Sequence, residues 1–195
     1  MNTPLTRLAL ITAATFALMP SCATNDPITH TNAANTSASQ LSRDSRTALA
    51  SLYRQNPGAR ALGRRAKAVL VFPSITRAGF VFGGQAGNGT MFNNDGSVAG
   101  HFQTTSASWG LQAGIQSFGY ALFLMDNDAI RNVNRSGGWD IGASPSLVIV
   151  DRGAATALNT TNINAGTFAF FFDQRGLMAG IGLQGSKITR INPGR

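Results

Sequence analysis

Glutamate is absent from this 195-residue chain: all eight acidic residues are aspartate, and lysine occurs only at Lys67 and Lys187. Long solvated helices draw on Glu and Lys together, so a coiled coil or helical bundle is excluded as the main architecture. Cysteine occurs once, at Cys22, and histidine twice, at His30 and His101. A single thiol excludes an intramolecular disulfide framework, and one Cys with two His excludes a Cys/His zinc cluster. The fold must hold by its core alone. Charged residues make up only 12% of the chain against 43% apolar. That is too hydrophobic for disorder, and no apolar run is long enough for a multi-span membrane protein. What is plentiful is glycine, with 22 residues, beside 12 phenylalanines. Together with Val, Ile and Thr they describe a β-rich body.

The first 21 residues stand apart from the fold. Arg7 precedes an apolar segment from Leu8 to Met19, about 12 residues, which ends in Pro20-Ser21-Cys22. That is short of the roughly 20 residues needed to span a bilayer, so residues 1–21 read as an export signal. Cys22 sits at the cleavage position and resembles the lipid-modified cysteine of a bacterial lipoprotein. Leu18 lies one place further upstream than that motif prefers, leaving Met19 and Pro20 in the intervening positions. The alternative is ordinary cleavage that leaves one free thiol. Residues 22–40, rich in Thr, Asn, Ala and Ser with no apolar period, read as a tether. The globular part then runs over 41–192, and a domain of ~150 residues buries roughly 70% of its extended-chain surface without a covalent staple.

Positive charge is concentrated at the start of that domain. Between Arg43 and Arg77 stand eight basic residues and one acid, Asp44, a local charge of +7 out of +8 for the whole chain. So local an excess marks a surface for an anionic partner. Residues 41–55 fit a helix with Leu41, Ala48, Leu49 and Leu52 on one face and Arg43, Arg46 and Arg54 opposite. Asn56-Pro57-Gly58 breaks it. Residues 59–68 restart the pattern, with Arg60, Arg64 and Lys67 flanking Ala59, Leu62 and Ala66. Such a basic amphipathic pair either covers a sheet and merely solvates its arginines or lies on a membrane surface. On the second reading Arg43, Arg46, Arg54, Arg60, Arg64, Arg65 and Lys67 contact lipid.

From Val69 the pattern changes to strands. The run 69–75 should end or edge a strand at Pro73, and 78–93 is a glycine-interrupted extended run. Asn94-Asp95-Gly96 carries hairpin-turn chemistry. Segments 97–105, 107–116 and 119–125 read as further short strands, and Asp126 caps a short helix through Val133. Strands follow at 147–151 and through 167–191, with turns at Gln174-Arg175-Gly176 and Gly185-Ser186. Crossover helices are missing between most strands, which predicts an α+β fold. Its body is an antiparallel sheet or barrel-like layer with the short N-terminal amphipathic helices packed on it. The expected core includes Phe80, Phe82, Trp109, Leu147, Ile149, Phe170 and Ile181.

Three blocks in this order, 66–91 (AKAVLVFPSITRAGFVFGGQAGNGTM), 109–116 (WGLQAGIQ) and 175–188 (RGLMAGIGLQGSKI), resemble the SYLF domain, a lipid-binding module also known by a yeast actin-binding name. The resemblance covers about Leu41 to Asn192. It implies binding to anionic phospholipids, with the basic amphipathic N-terminal region, here 41–68, as the lipid-contacting element. The SH3 and FYVE domains of eukaryotic relatives have no counterpart, so phosphoinositide and actin partners are not carried over. An exporting bacterium would offer phosphatidylglycerol, cardiolipin or lipopolysaccharide.

Motifs for chemistry are thin. The run Gly83-Gly84-Gln85-Ala86-Gly87-Asn88-Gly89 lacks the Lys-Ser/Thr of a phosphate loop, and its glycines read as close strand packing. Asp126 and Asp128 lack the glycine and distal Glu of a calcium loop, and His101 has no second ligand or nucleophile nearby in sequence. No catalytic residue, cofactor, metal, nucleic acid or small-molecule substrate is expected, and protein partners stay open. A small outer-membrane barrel is disfavoured by the basic helical start. The sequence thus reads as a non-catalytic envelope lipoprotein on anionic phospholipid, the alternative being a structural or partner-binding lipoprotein. Ala23 and Thr24 lack the Asp that marks inner-membrane retention in Gram-negative lipoproteins, which favours the outer membrane, facing the periplasm or the surface. Cys22→Ser should release the protein from the membrane fraction or leave it misprocessed; fractionation and migration identical to the parent would refute the anchor.

Overall fold

The fold is described from a computed structural model over residues 37–79, 82–109, 114–141, 147–150, 165–176 and 185–194. Cys22, the export signal and most of the tether lie outside these residues. The chain begins with α1 (Ala38–Gln55), three residues before the start expected at Leu41. Its N-cap is Ser37, whose hydroxyl accepts from the Gln40 amide at 3.3 Å, satisfying one of the four amides a helix start leaves free. Asn56 ends α1 and also caps α2 (Pro57–Gly63), its side chain accepting from the Ala59 amide at 3.0 Å. Pro57 takes the first helical turn, where its missing N–H costs nothing. The expected second helix over 59–68 is corrected: it ends at Gly63, and Ala66 and Lys67 lead into the sheet.

Eight strands follow: β1 (Ala68–Gly79), β2 (Phe82–Asn93), β3 (Val98–Trp109), β4 (Gly114–Leu124), β5 (Trp139–Asp140), β6 (Leu147–Val150), β7 (Thr167–Gly176) and β8 (Ser186–Ile191). A third helix, α3 (Asn127–Val133), lies between β4 and β5. The strands form one curled sheet, half of a barrel, in the order β5-β8-β3-β2-β1-β4-β7-β6. The α+β architecture is as expected, with the N-terminal helices packed on the sheet. The sheet is mixed, however, because β6 pairs parallel with β7 at one edge.

Several local expectations are corrected. Pro73 neither ends nor edges a strand: β1 runs through it at the centre of the sheet. Pairing is interrupted there, between Val71 and Thr76 on the β2 side and between Phe72 and Ile75 on the β4 side. A residue without an N–H is tolerated at such a bulge, where no ladder bond is lost. Residues 97–125 give two long strands where three short ones were expected, and Gln174-Arg175-Gly176 lies within β7. The Asn94-Asp95-Gly96 turn is present, with Gly96 at φ +80° and Asp95 accepting from the Ser97 amide at 2.8 Å.

Alternation along the central strands divides the core in two. Leu70 and Phe72 of β1 join Phe118, Tyr120, Leu122 and Leu124 of β4 on the concave face, with Phe102 and Ile188 from β3 and β8. Val69, Val71, Ala121, Phe123, Phe168, Phe170 and Phe172 face the other way, against Leu52, Ala59 and Leu62 of the helices. Both faces are covered, so β1 reads as an unbroken apolar run. The β2 glycines belong to this packing: a Cβ on Gly87 would lie 2.6 Å from the Ser74 carbonyl, and one on Gly89 would lie 2.7 Å from the Phe72 ring. Of the expected core, Phe170 is buried and Leu147 partly buried. Ile149 is a correction: it is 48% exposed on the edge strand β6. Phe80, Ile181 and the side chains of Phe82 and Trp109 lie outside the described residues.

The concave core also holds polar atoms. The hydroxyls of Tyr120 and Thr104 are fully buried and neighbour each other short of good hydrogen-bond geometry, with no other partner among the described residues; burial raises the Tyr120 pKa well above the usual phenol range, and the nearby Thr104 hydroxyl opposes the shift. An unpaired buried hydroxyl costs desolvation that an apolar side chain of the same shape does not. In urea denaturation, Phe170→Ala, which opens a cavity in the helix-facing core, should cost roughly 3–5 kcal/mol, whereas Tyr120→Phe in the concave core should be neutral or stabilising. A Tyr120→Phe loss above about 1 kcal/mol would show that the hydroxyl is paired.

Candidate functional site, an arginine-rimmed groove

The site is built where α1 and the seven-residue α2 pack on the β1–β2 pair. α1 is seated by three buried side chains, Leu41, Ser45 and Leu52. The Ser45 hydroxyl donates to the Val71 carbonyl at 3.4 Å, so this polar residue on the buried face has an acceptor. At the start of the helix the Ala38 amide donates to the Gly194 carbonyl at 3.0 Å, joining α1 to the C-terminal segment. Ser42 donates to the Ala38 carbonyl at 2.8 Å and lies 3.1 Å from His101 Nε2 on β3.

Beyond this seat, α1, α2 and the β1–β2 pair enclose a groove of about 730 Å³. Its apolar lining comes from Leu49, Ala50 and Tyr53 of α1, Ala66 before β1, Val69 of β1 and Phe92 of β2. Val69 and Phe92 are direct partners in the β1–β2 register. Four arginines, Arg46, Arg54, Arg60 and Arg64, line the same groove, and among the described residues no acidic side chain does. Arg46 is fixed: its guanidinium lies 4.6 Å from the Phe92 ring centroid and donates to the Gly96 carbonyl at 2.8 Å. The ring face stabilises the cation, and the contact joins α1 to the β2–β3 turn. Tyr53 forms part of the wall, its hydroxyl against Gly63 and its ring 6.3 Å from Phe123. Partial burial raises the Tyr53 pKa, so the phenol stays protonated at neutral pH.

All seven basic residues expected to contact lipid are exposed, but the structure brings only four together. Arg43 points back along the helix to Gln40, donating at 2.6 Å, and Lys67 donates to Asn127 at 3.1 Å. Arg65 is exposed outside the groove lining. Arg46, placed by helical periodicity opposite the apolar face, instead reaches Phe92 at the rim. Sequence reasoning missed the apolar half of the site. Tyr53, an amphipathic aromatic on a basic helix, was its one local signal, whereas Phe92 enters only through strand register.

Asp126 and Asp128 have structural roles. Asp126 caps α3, accepting from the Ala129 amide at 2.7 Å, and Asp128 pairs with Arg131. Among the described residues, no group of three or more His, Cys or Asp side chains could hold a metal ion. No helix among them is long and apolar enough to cross a membrane, which says nothing of strands.

Desolvation depresses the His101 pKa below its usual value. Arg190 lowers it further, while the Ala38 carbonyl opposes the shift. The unfolded chain therefore takes up this proton first. The His101 contribution is complete above the unfolded value of about 6.5 and is lost as pH falls from there through the folded pKa. Midpoints of urea denaturation should fall between pH 7.5 and pH 5.5, and His101→Gln should flatten that dependence. An unchanged slope in the variant would remove His101 as its source.

Residues 105–192 match the family model Ysc84, described as Las17-binding protein actin regulator. The match runs from Thr105 in β3 to Asn192 just after β8, leaving α1, α2, β1 and β2 outside it. No curated protein matches the chain.

Proposed function

We propose that this protein, whose residues 105–192 match the model of the Ysc84, or SYLF, family of lipid- and actin-binding domains, binds anionic phospholipid membranes through its basic N-terminal helices. It acts as a binding protein and not as an enzyme, held in a bacterial envelope by lipid on Cys22. The carrying observation is the convergence of Arg46, Arg54, Arg60 and Arg64 on one groove, with no acidic side chain lining it among the described residues. Among the described residues, no hydrogen bond or ion pair engages the side chains of Arg54, Arg60 or Arg64, which leaves their donors for phosphate.

The magnitudes call for two attachments. A basic residue close to an anionic leaflet contributes about 1 kcal/mol, so four arginines give ~4 kcal/mol, which corresponds to millimolar affinity. One acyl chain alone is also marginal, and stable anchoring takes two signals. Acylation at Cys22 together with the arginine rim supplies both. On this reading the tether sets how far the domain ranges from its anchor, and the helices set which surface it rests on.

Replacing Arg54, Arg60 and Arg64 with glutamine should remove about 3 kcal/mol, weakening binding to phosphatidylglycerol vesicles by roughly 100-fold. Raised salt should mimic the loss. Neutralising Arg131 in α3 and Arg135 just after it serves as the control and should have little effect. Equal vesicle binding by the triple variant and the parent would leave the arginines as a solvated face and favour the partner-binding lipoprotein.

A further inference from the structure

The arginines could serve adhesion from a flat or convex surface, yet they surround a concavity whose lining is apolar. We infer that the groove holds one acyl chain of an anionic phospholipid, so that the protein grips a single lipid by head and chain. This rests on the lipid reading above and goes beyond adhesion to headgroups.

The shape follows from the sequence. Asn56-Pro57 ends α1 and starts a helix of only seven residues, and both helices line the groove beside Phe92. Arg46 closes one end by reaching the β2–β3 turn at Gly96. Between these limits Val69 and Phe92 are buried within the fold and contribute to the lining, with Leu49 and Tyr53 alongside them. At about 730 Å³ the groove falls among small-molecule sites, which span roughly 300–1,000 Å³ and combine apolar walls with a few placed polar groups.

The charge distribution selects the occupant. A neutral apolar ligand would leave three arginine side chains unused at the rim. A free phosphate or glycerol phosphate would leave the apolar lining without a partner. An anionic phospholipid satisfies both: its chain lies along Leu49, Ala50 and Tyr53, over the floor formed by the buried Val69 and Phe92, and its phosphate meets Arg54, Arg60 and Arg64. Arg46, already held by Phe92 and Gly96, shapes the groove and is not counted among the phosphate ligands.

The test uses the full chain in solution with dihexanoyl phosphatidylglycerol below its micelle concentration, followed by amide and methyl NMR. Saturable shifts should appear at Leu49, Val69 and Phe92. Dihexanoyl phosphatidylcholine should bind at least tenfold more weakly, and glycerol 3-phosphate should leave the methyl groups of the lining unmoved. Ala50→Trp fills the groove from an exposed helical position and keeps every arginine; it should weaken the short-chain lipid at least tenfold, with circular dichroism confirming the fold. Affinity unchanged by Ala50→Trp, shifts confined to the arginines, or contacts in the free protein between the groove and residues 8–19 would overturn the inference. If the parent binds phosphatidylglycerol vesicles but not the short-chain lipid, chain capture falls and adhesion stands. If it binds neither, both fall.

Discussion

The burial of β1 on both faces is the constraint from which the rest of the structure follows. It pairs with β2 on one side and β4 on the other. Its alternate residues serve two cores: Leu70 and Phe72 fill the concave face, while Val69 and Val71 support the helices. A central strand of this kind requires close neighbours, and β2 provides them by giving up side chains at Gly87 and Gly89, where Ile75 and Phe72 lie. The bulge at Pro73 and Ser74 allows β1 to carry a proline without losing both neighbours. Glycine content, the interrupted register and the apolar run are thus one solution to one packing problem.

The same strand divides the labour between the faces. The concave side is occupied by large side chains, with Phe72, Phe102, Phe118 and Tyr120 among those fully buried. The helical side is thinner. α2 has seven residues, and α1 is seated through a few points: Leu41, Ser45, Leu52, the His101 contact and the Gly194 carbonyl. A concavity on the helical side lies between α1, α2 and the β1–β2 pair, and the basic residues of the chain are concentrated on the elements that frame it. Since the family match begins at Thr105, the groove belongs to the part of the domain that the match does not reach.

Much of this was legible in the sequence because local chemistry and tertiary structure agree. The α1 periodicity, the Asp126 cap and the Asn94-Asp95-Gly96 turn each rest on residues within a few positions of one another, and each appears where expected. The sequence-level errors share a different origin. Pro73 and the Gln174–Gly176 segment carry breaker signals that are overridden by neighbours far along the chain. The parallel β6–β7 pair depends on a connection between elements that periodicity does not describe. Ile149 alternates like a core residue, but β6 lies at the edge of the sheet, where one face has no cover. For the site, net charge identified the right region and could not separate Arg54, Arg60 and Arg64 from Arg43 and Lys67. That distinction depends on where each side chain ends, and Gln40 and Asn127 claim the latter two.

Arg46 shows how charge and packing become one device at this site. Its guanidinium lies over Phe92 and bonds to the Gly96 carbonyl, so part of the basic charge of the helix is spent holding α1 to the β2–β3 turn. Without that contact the end of the groove would be set only by α1 packing through Leu49 and Leu52. With it, the positions of Arg54 on α1 and of Arg60 and Arg64 beyond Asn56 are referred to the rigid β1–β2 pair. Phosphate recognition by several arginines depends on their relative placement as much as on their number. A basic helical pair floating on a sheet would attract any anionic surface. One fixed to the sheet at Phe92, with an apolar lining between its arginines, can favour an anion that carries a chain.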